Sequence, residues 1–216
     1  GNTLNALGRH EDAAEIHRRI IDRVVRRDGE RSEEALAAMT NLAISLDAAG
    51  RKEEGNALRV RVYELSHGFF PDDHPGFQIV RRNYAVCLVE QGKYQEALSI
   101  LEKLRRDQLA SLGAEHLGTA ETNMLLAMAY EDAGHHQLAA EARAAAAESF
   151  ARIHGPDNDR ALRCALALVY DLTALGRPDE AAAVTRQYFG HPPDPRKLAI
   201  IGKTPADILP EVLERL

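Results

Sequence analysis

The sequence predicts an all-α fold, an α-solenoid of about five helix-turn-helix repeats, because two sets of turn residues recur with one fixed spacing. The first set is a glycine that returns every 42 residues, at Gly8, Gly50, Gly92, Gly134 and Gly176. The second set has the same 42-residue spacing, at Gly29, Pro71, Gly113 and Gly155. Two interleaved series leave room in each unit for two helices of about 15 residues. We name them helix A, before the first glycine, and helix B, after it.

The first two units are predicted as follows. Residues 1–7 are expected to be the end of a helix A whose beginning lies outside the sequence. Ser32 precedes two glutamates, a pattern typical of a helix N-cap with an acidic first turn. In the second unit we therefore expect helix A over residues 35–49 and helix B over residues 52–67. Pro75 suits the first position of the next helix, where its missing N–H costs nothing.

The later units follow the same plan. The third is predicted over residues 76–112, with its second helix beginning at about Tyr94, and the fourth over residues 115–154. The fifth begins near residue 157, turns at its glycine and opens helix B at Pro178.

Residues at fixed distances from the glycine are predicted to form the buried seam between helices. Eight and twelve residues after it, the first unit has Ile16 and Ile20, at helical spacing. Five residues after it, every unit has a small residue that allows close helix contact: Ala13, Gly55, Ala97, Ala139 and Ala181.

The repeat array is predicted to occupy residues 1–190, and residues 191–216 are predicted to be a Pro-rich linker and a C-terminal capping segment. The motif at residues 190–195 contains three prolines and cannot continue a helix. An array needs a cap over its last exposed face. We expect a short amphipathic segment with four residues turned inward: Leu209, Val212, Leu213 and Leu216.

Composition narrows the possible partners and sites. The formal net charge of −6 argues against nucleic acid as a partner, because a phosphate-binding surface is basic. No apolar run has the length of a membrane span, so we expect a soluble, cytoplasmic protein. The two cysteines, Cys87 and Cys164, are expected to be small buried hydrophobic residues. The chain begins with Gly1 partway into a repeat, which suggests a fragment of a longer protein.

The third unit carries the resemblance to a known family. Its segment NYAVCLVEQGKYQEA, residues 83–97, is similar to the tetratricopeptide repeat in its 42-residue, kinesin-light-chain-like form. The resemblance extends over about residues 1–190, and the fourth and fifth units depart from it at Leu125, Leu138 and Ala167. It implies an interaction scaffold without catalytic machinery, in which hairpins form a right-handed superhelix and the A helices line its concave side.

The resemblance also implies a binding groove on the A helices. In such relatives an Asn nine residues before the glycine holds the backbone or terminal carboxylate of a bound peptide. Here those positions are Asn41 and Asn83, and the preceding residues are Thr40 and Arg82. The predicted groove comprises Asn41, Asn83, Arg82, Ile44, Ile79, Val86, Met124, Leu125, Met128, Arg163 and Tyr170, and also Leu166.

The middle of this predicted groove is apolar, which is typical of a binding surface. We therefore expect it to bind a short apolar peptide segment, with the two Asn residues fixing the main chain and Arg82 or Arg163 meeting a carboxylate. Three alternatives stay open. The apolar residues could be core, they could be covered by the protein's own tail, or they could mediate dimerisation. The oligomeric state does not follow from the sequence.

Other chemistry is less well supported. His135, His136, His74 and His116 lack the paired spacing of a zinc site, so we expect no metal and no cofactor. No phosphate loop, nucleophile elbow or Cys/His pair points to an enzyme. Helix B of the first unit is basic, and its arginines could form a solvated face, or meet an acidic partner or a nucleic-acid backbone; they are Arg18, Arg19, Arg23, Arg26 and Arg27. Two other functions stay open, a regulatory or sensor segment that binds other domains of a larger signalling or NTPase protein, and a self-association module.

Overall fold

The computed structural model describes residues 7–216, which are helical and contain no strand. This confirms the predicted fold class. The hairpin helices are α1 His10–Asp28, α2 Glu33–Ala48, α3 Lys52–Ser66, α4 Pro75–Glu90, α5 Tyr94–Ser111, α6 Leu117–Asp132, α7 His136–His154, α8 Asp159–Ala174 and α9 Pro178–Phe189. The tail forms α10 Pro195–Ile200, a 3₁₀ turn Pro205–Asp207 and α11 Pro210–Leu213. The predicted first helix A falls mostly on residues 1–6, outside the described part of the chain.

The chain forms two compact units, Gly1–Ile100 and Leu101–Leu216. In the first unit α1 packs on α2, α2 on α3 and α3 on α4, and the A helices α2 and α4 also contact each other. In the second unit α6 packs on α7, α7 on α8 and α8 on α9. Within each unit the chain is thus a succession of neighbouring A and B helices.

The glycine turns explain the first repeated series. Gly50, Gly92, Gly134 and Gly176 all have positive φ, between 71° and 80°, which a residue with a Cβ rarely adopts. The N–H of the next residue reaches back to close the preceding helix, as from Arg51 to the Leu46 carbonyl at 2.8 Å. This bond is typical of a Schellman-type helix end and satisfies a carbonyl that the helix leaves unpaired.

The N-caps of the A helices form a further 42-residue series, at Ser32, His74, His116 and Asn158. The Ser32 side chain accepts a hydrogen bond from the Ala35 N–H, which confirms the predicted cap. His116 caps in the same way, because its Nδ1 accepts from the Gly118 N–H at 3.0 Å. The recurring histidine position is therefore the N-cap position of helix A, although the His74 side chain makes no capping hydrogen bond.

The small residues five after each glycine are fully buried where they are alanine: Ala13, Ala97, Ala139 and Ala181. The second repeat has Gly55 instead of alanine at this position. A Cβ there would collide with the Asp47 carboxylate and lie 3.2 Å from the Ala43 carbonyl oxygen. That carboxylate forms an ion pair with Arg59, whose side chain is only 10% exposed. The glycine thus makes room for an ion pair between α2 and α3.

We expect Gly55→Ala to lower the free energy of unfolding by about 1–2 kcal/mol. Helix propensity alone would favour Ala by about 1 kcal/mol. The added Cβ, however, overpacks the site and displaces the Asp47 carboxylate from Arg59, which costs more than that gain. The measurement is urea denaturation followed by circular dichroism. In an Asp47→Ala background the same substitution should stabilise, as the alanines of the other repeats suggest. Equal destabilisation in both backgrounds would contradict this explanation.

The tail packs on the last hairpin, with α10 against α8 and α11 against α9. Four of its residues join a core cluster that includes Leu162 and Phe189; they are Leu198, Ile201, Ile208 and Val212. Of the four residues expected to face inward, Val212 is buried and Leu209 and Leu216 pack on the same cluster. Leu213 is 39% exposed, so the prediction for it was wrong.

Two residues of α1 also differ from expectation. Ile16 and Ile20 were predicted in a buried seam, but each is 37% exposed. The equivalent residue of the second repeat, Leu58, packs against clusters that include Ile21, Leu42 and Leu46. The same seam position is thus packed in the second repeat and exposed in the first.

Candidate functional site

The residues of the predicted groove in the first unit lie on α2 and α4 and reach the surface. Ile44 is 46% exposed and Ile79 is 44% exposed, which is unusual for isoleucine in the interior of a helix. Asn41 and Asn83 are half-buried. Arg82 and Val86, further along α4, are also half-buried. None of these side chains belongs to the core.

A cavity of about 200 Å³ lies between α2 and α4 and includes three predicted residues, Asn41, Ile44 and Ile79. We call it the α2–α4 pocket. Its full lining is Glu33, Leu36, Ala37, Thr40, Asn41, Ile44, Phe70, Gly76, Ile79 and Val80. Most of these residues are apolar, and the volume is below the roughly 300–1,000 Å³ of pockets that enclose a whole small ligand. The α2–α4 pocket has the size for one large side chain.

Phe70 forms a wall of the α2–α4 pocket that the sequence analysis missed. It comes from the loop before α4, and its ring stacks on His74 with centroids 4.2 Å apart and planes at 15°. Phe69 packs edge-on against it at 4.8 Å. The repeat spacing indicates only a turn here, at Pro71. Its paired aromatics, in a chain with only 5% aromatic residues, were the available signal.

The two predicted Asn residues lie in different places. The Asn41 side chain lines the α2–α4 pocket, and no residue in the described part of the chain hydrogen-bonds its amide. The neighbouring Thr40 hydroxyl is already engaged, because it donates to the Leu36 carbonyl at 2.8 Å. Asn83 lies instead at a much smaller cavity of about 10 Å³, beside Thr40 and Arg59. Asn41 is therefore the amide available to a ligand in the pocket.

The second unit contributes Met124, Leu125 and Met128 on α6 and Arg163 and Tyr170 on α8. Met128 is 45% exposed and Tyr170 is 36% exposed, whereas Met124 and Leu125 are half-buried. Arg163 is exposed and is 4.0 Å from Asp159, at the limit of an ion pair. These residues also lie at the surface of their unit.

In the second unit an ion pair links α6 and α8. Its two residues are equivalent to the two smallest residues of the α2–α4 pocket in the first unit. Glu121 and Arg160 are 84 residues after Ala37 and Gly76, the same position two repeats later. The Arg160 Nη1 is 2.9 Å from the Glu121 Oε1. Small residues in the first unit leave a cavity, whereas two long charged side chains meet each other in the second. The two units therefore differ in the surface that they offer.

The tail covers part of the α8 surface. Leu166 was predicted to line the groove, but it is only 4% exposed and belongs to the cluster that contains Ile201 and Ile208. The prediction for Leu166 was wrong, because its side chain belongs to a core that the tail helps to form. The Tyr170 hydroxyl donates to the backbone carbonyl of Asp207 at 2.6 Å. One predicted groove residue is thus already bound to the chain's own backbone.

The cysteines are buried, as predicted. Burial raises the pKa of the Cys164 thiol to about 11 and also raises the pKa of Cys87, so both stay protonated near neutral pH. Within residues 7–216, no three His, Cys, Asp or Glu side chains are grouped to hold a metal ion. No helix among these residues combines the length and apolar character that crossing a membrane requires.

Comparison with known proteins identifies the repeat type. Residues 78–148 match the family model of the tetratricopeptide repeat. Two crystal structures of a Podosopora anserina protein, described as a kinesin light chain with nearly identical TPR-like repeats, have TM-scores of 0.73 and 0.71 and 22% identity to this chain. Each alignment covers 87% of this chain, and 88% and 89% of theirs.

A third similar structure is BtubC (BKLC) from P. vanneervenii, with a TM-score of 0.66 and 15% identity. It covers 96% of this chain and 88% of that chain. No curated protein matches the sequence. At these identities the similarity concerns the fold, and it agrees with the predicted kinesin-light-chain-like form of the repeat.

Proposed function

We propose that this chain, which consists of tetratricopeptide repeats, is a protein–protein interaction scaffold that binds an extended segment of a partner protein in the α2–α4 pocket. The observation that supports the proposal is an apolar cavity with a single available amide, Asn41, beside two exposed isoleucines. Exposed apolar side chains grouped in this way are typical of an interaction surface.

The physical argument is that an extended peptide has two needs that this pocket meets. Its side chain needs an apolar cavity, which Ile44, Ile79 and Phe70 provide. Its main chain needs a group that can both donate and accept hydrogen bonds, which the Asn41 amide can do. A comparable contact with an irregular segment exists in the second unit. There the Tyr170 hydroxyl donates a hydrogen bond to a backbone carbonyl of the tail.

We expect Ile44→Asp to lower the affinity for the partner by more than about tenfold, because it places a charge against the apolar part of the ligand. Met128→Asp is the matched control, since Met128 is the equivalent residue two repeats later and is 45% exposed against 46% for Ile44. Tagged chains would be used to capture partners from the source cell lysate, with identification by mass spectrometry.

A partner retained by Met128→Asp and lost by Ile44→Asp is the expected result. Asn41→Ala should weaken the same partner by about 1 kcal/mol, roughly fivefold in affinity. A partner that tolerates Ile44→Asp while the variant stays folded would mean that the ligand binds elsewhere.

The tail favours a second candidate function for the second unit, intramolecular regulation. The contacts of the tail with Tyr170 and Leu166 already occupy part of the α8 surface. A partner of this surface would have to displace residues 204–209. Tyr170→Phe, which removes the hydrogen bond to Asp207 and keeps the buried residues of the tail, should then gain binding that the wild-type chain lacks.

A further inference from the structure

The charge at the edge of the α2–α4 pocket restricts which protein segments can bind there. This inference rests on the proposed function. Glu33 is the one charged residue among those that line the pocket. Its side chain is 72% exposed, and its ion-pair contact in the described structure is with His74, where Nε2 and Oε1 are 3.8 Å apart. The neighbouring Glu34 differs, because its carboxylate is paired with Arg27. A lysine or arginine therefore does not neutralise Glu33 in the way that Arg27 neutralises Glu34.

The position of Glu33 in its helix suits a negative charge. Glu33 lies in the first turn of α2, where the helix dipole favours a carboxylate. Its carboxylate thus lies at the edge of the cavity. A bound segment with a positive charge at this point would gain an attraction, and one with a negative charge would be repelled.

The spacing on α2 gives the position of that positive charge. Glu33 and Ala37 are four residues apart, about 6 Å along the helix axis. An extended peptide covers this length in about two residues, and side chains two residues apart point to the same side. A peptide whose apolar side chain enters the pocket beside Ala37 thus presents its second neighbour towards Glu33.

We infer that the α2–α4 pocket selects an extended protein segment with a large apolar residue and a lysine or arginine two residues away from it. The apolar side chain fills the cavity between Ile44, Ile79 and Phe70. The Asn41 amide holds the backbone, and Glu33 binds the basic side chain. The partner is accordingly a protein with an exposed basic-apolar segment.

The test is a selection from a phage-displayed library of random peptides, flanked on both sides by Gly-Ser linkers so that no free terminus is presented. Immobilised wild-type, Glu33→Lys and Asn41→Ala chains would be used in parallel. Wild type should enrich an apolar residue with Lys or Arg two positions away. Glu33→Lys should keep the apolar residue and replace the basic one by Asp or Glu, and Asn41→Ala should enrich the wild-type pattern more weakly.

Affinities of one enriched peptide, labelled with a fluorophore, would then be measured by anisotropy. Glu33→Gln should weaken it two- to fivefold, the range of an exposed ion pair. The difference should disappear at high salt, and it should be absent for the same peptide with its basic residue replaced by Gln.

The outcomes separate the two proposals. Enriched peptides that need Asn41 and Ile44 but carry no basic residue would overturn the role of Glu33 and leave the proposed function standing. A library that yields no peptide dependent on Ile44 would overturn the proposed function, and this inference with it.

Discussion

The single substitution Arg143→Leu is expected to lower the free energy of unfolding by about 3–5 kcal/mol, because it breaks a buried ion pair and leaves one partner behind. The Arg143 side chain lies in α7 with 10% of its area exposed, and its Nη1 is 2.5 Å from the Asp171 Oδ2 of α8. The Asp171 side chain is only 6% exposed. A second carboxylate, from Glu131, pairs with the same guanidinium from the more exposed side.

The double variant Arg143→Leu with Asp171→Ala is expected to recover stability to within about 1 kcal/mol of the wild type. The chain itself supplies the precedent, since the equivalent positions one repeat earlier hold Leu101 and Ala129, both fully buried. Burial raises the pKa of Asp171 although a guanidinium lies beside it. The pKa of Arg143 is raised despite its burial, because Asp171 and Glu131 both stabilise its charge, so the cost of desolvation falls on Asp171. Replacing such a pair by apolar residues is often neutral or stabilising.

Thermal and urea denaturation followed by far-ultraviolet circular dichroism would measure both variants. Asp171→Ala alone should be milder than Arg143→Leu, because Arg143 keeps Glu131 as a partner. A double variant as unstable as Arg143→Leu would show that the lost packing of the arginine stem, and not the unpaired carboxylate, causes the destabilisation.

The second large effect is expected in the tail, where Ile208→Ala should lower the free energy of unfolding by about 2–5 kcal/mol. Ile208 is 2% exposed and lies in the same core cluster as Leu198 and Phe189. Removing its side chain leaves a cavity under a short segment that has few other buried residues. The expected result is loss of hydrogen-exchange protection in residues 195–216 and then in α9.

Leu213→Ala is the matched control for Ile208→Ala, because Leu213 lies in the same tail and is 39% exposed. Its effect should stay within about 0.5 kcal/mol, as is usual for surface positions. Similar losses from both substitutions would mean that the tail is held by its polar contacts, such as that between Arg215 and Asp179 at 3.1 Å.

The bounds of the helices could be predicted from the sequence because their signals are local. Ser32, Pro75 and Pro178 stand at helix starts, and glycines with positive φ stand at helix ends. These residues act through their own backbone or through atoms within one turn of the helix. Their effect is therefore the same in every repeat and does not depend on how the repeats pack.

The candidate site could be predicted only in part, because it depends on which side chains meet across repeats. The constant spacing places Ile44 and Ile79 on one surface. It does not indicate that Phe70, from the loop of the next repeat, closes the cavity between them. Leu166 occupies a position of the same kind and is nevertheless buried, because the tail that covers it follows no repeat.

The ion pair of Arg143 and Asp171 has a consequence for folding fidelity. Hairpins of similar sequence can associate in the wrong order, a hazard typical of repeat proteins. If α8 packed against α5 instead of α7, Asp171 would face Leu101, the residue equivalent to Arg143. A carboxylate buried without a guanidinium is costly, so this misordered intermediate is penalised, and the charges of α7 and α8 favour their native pairing.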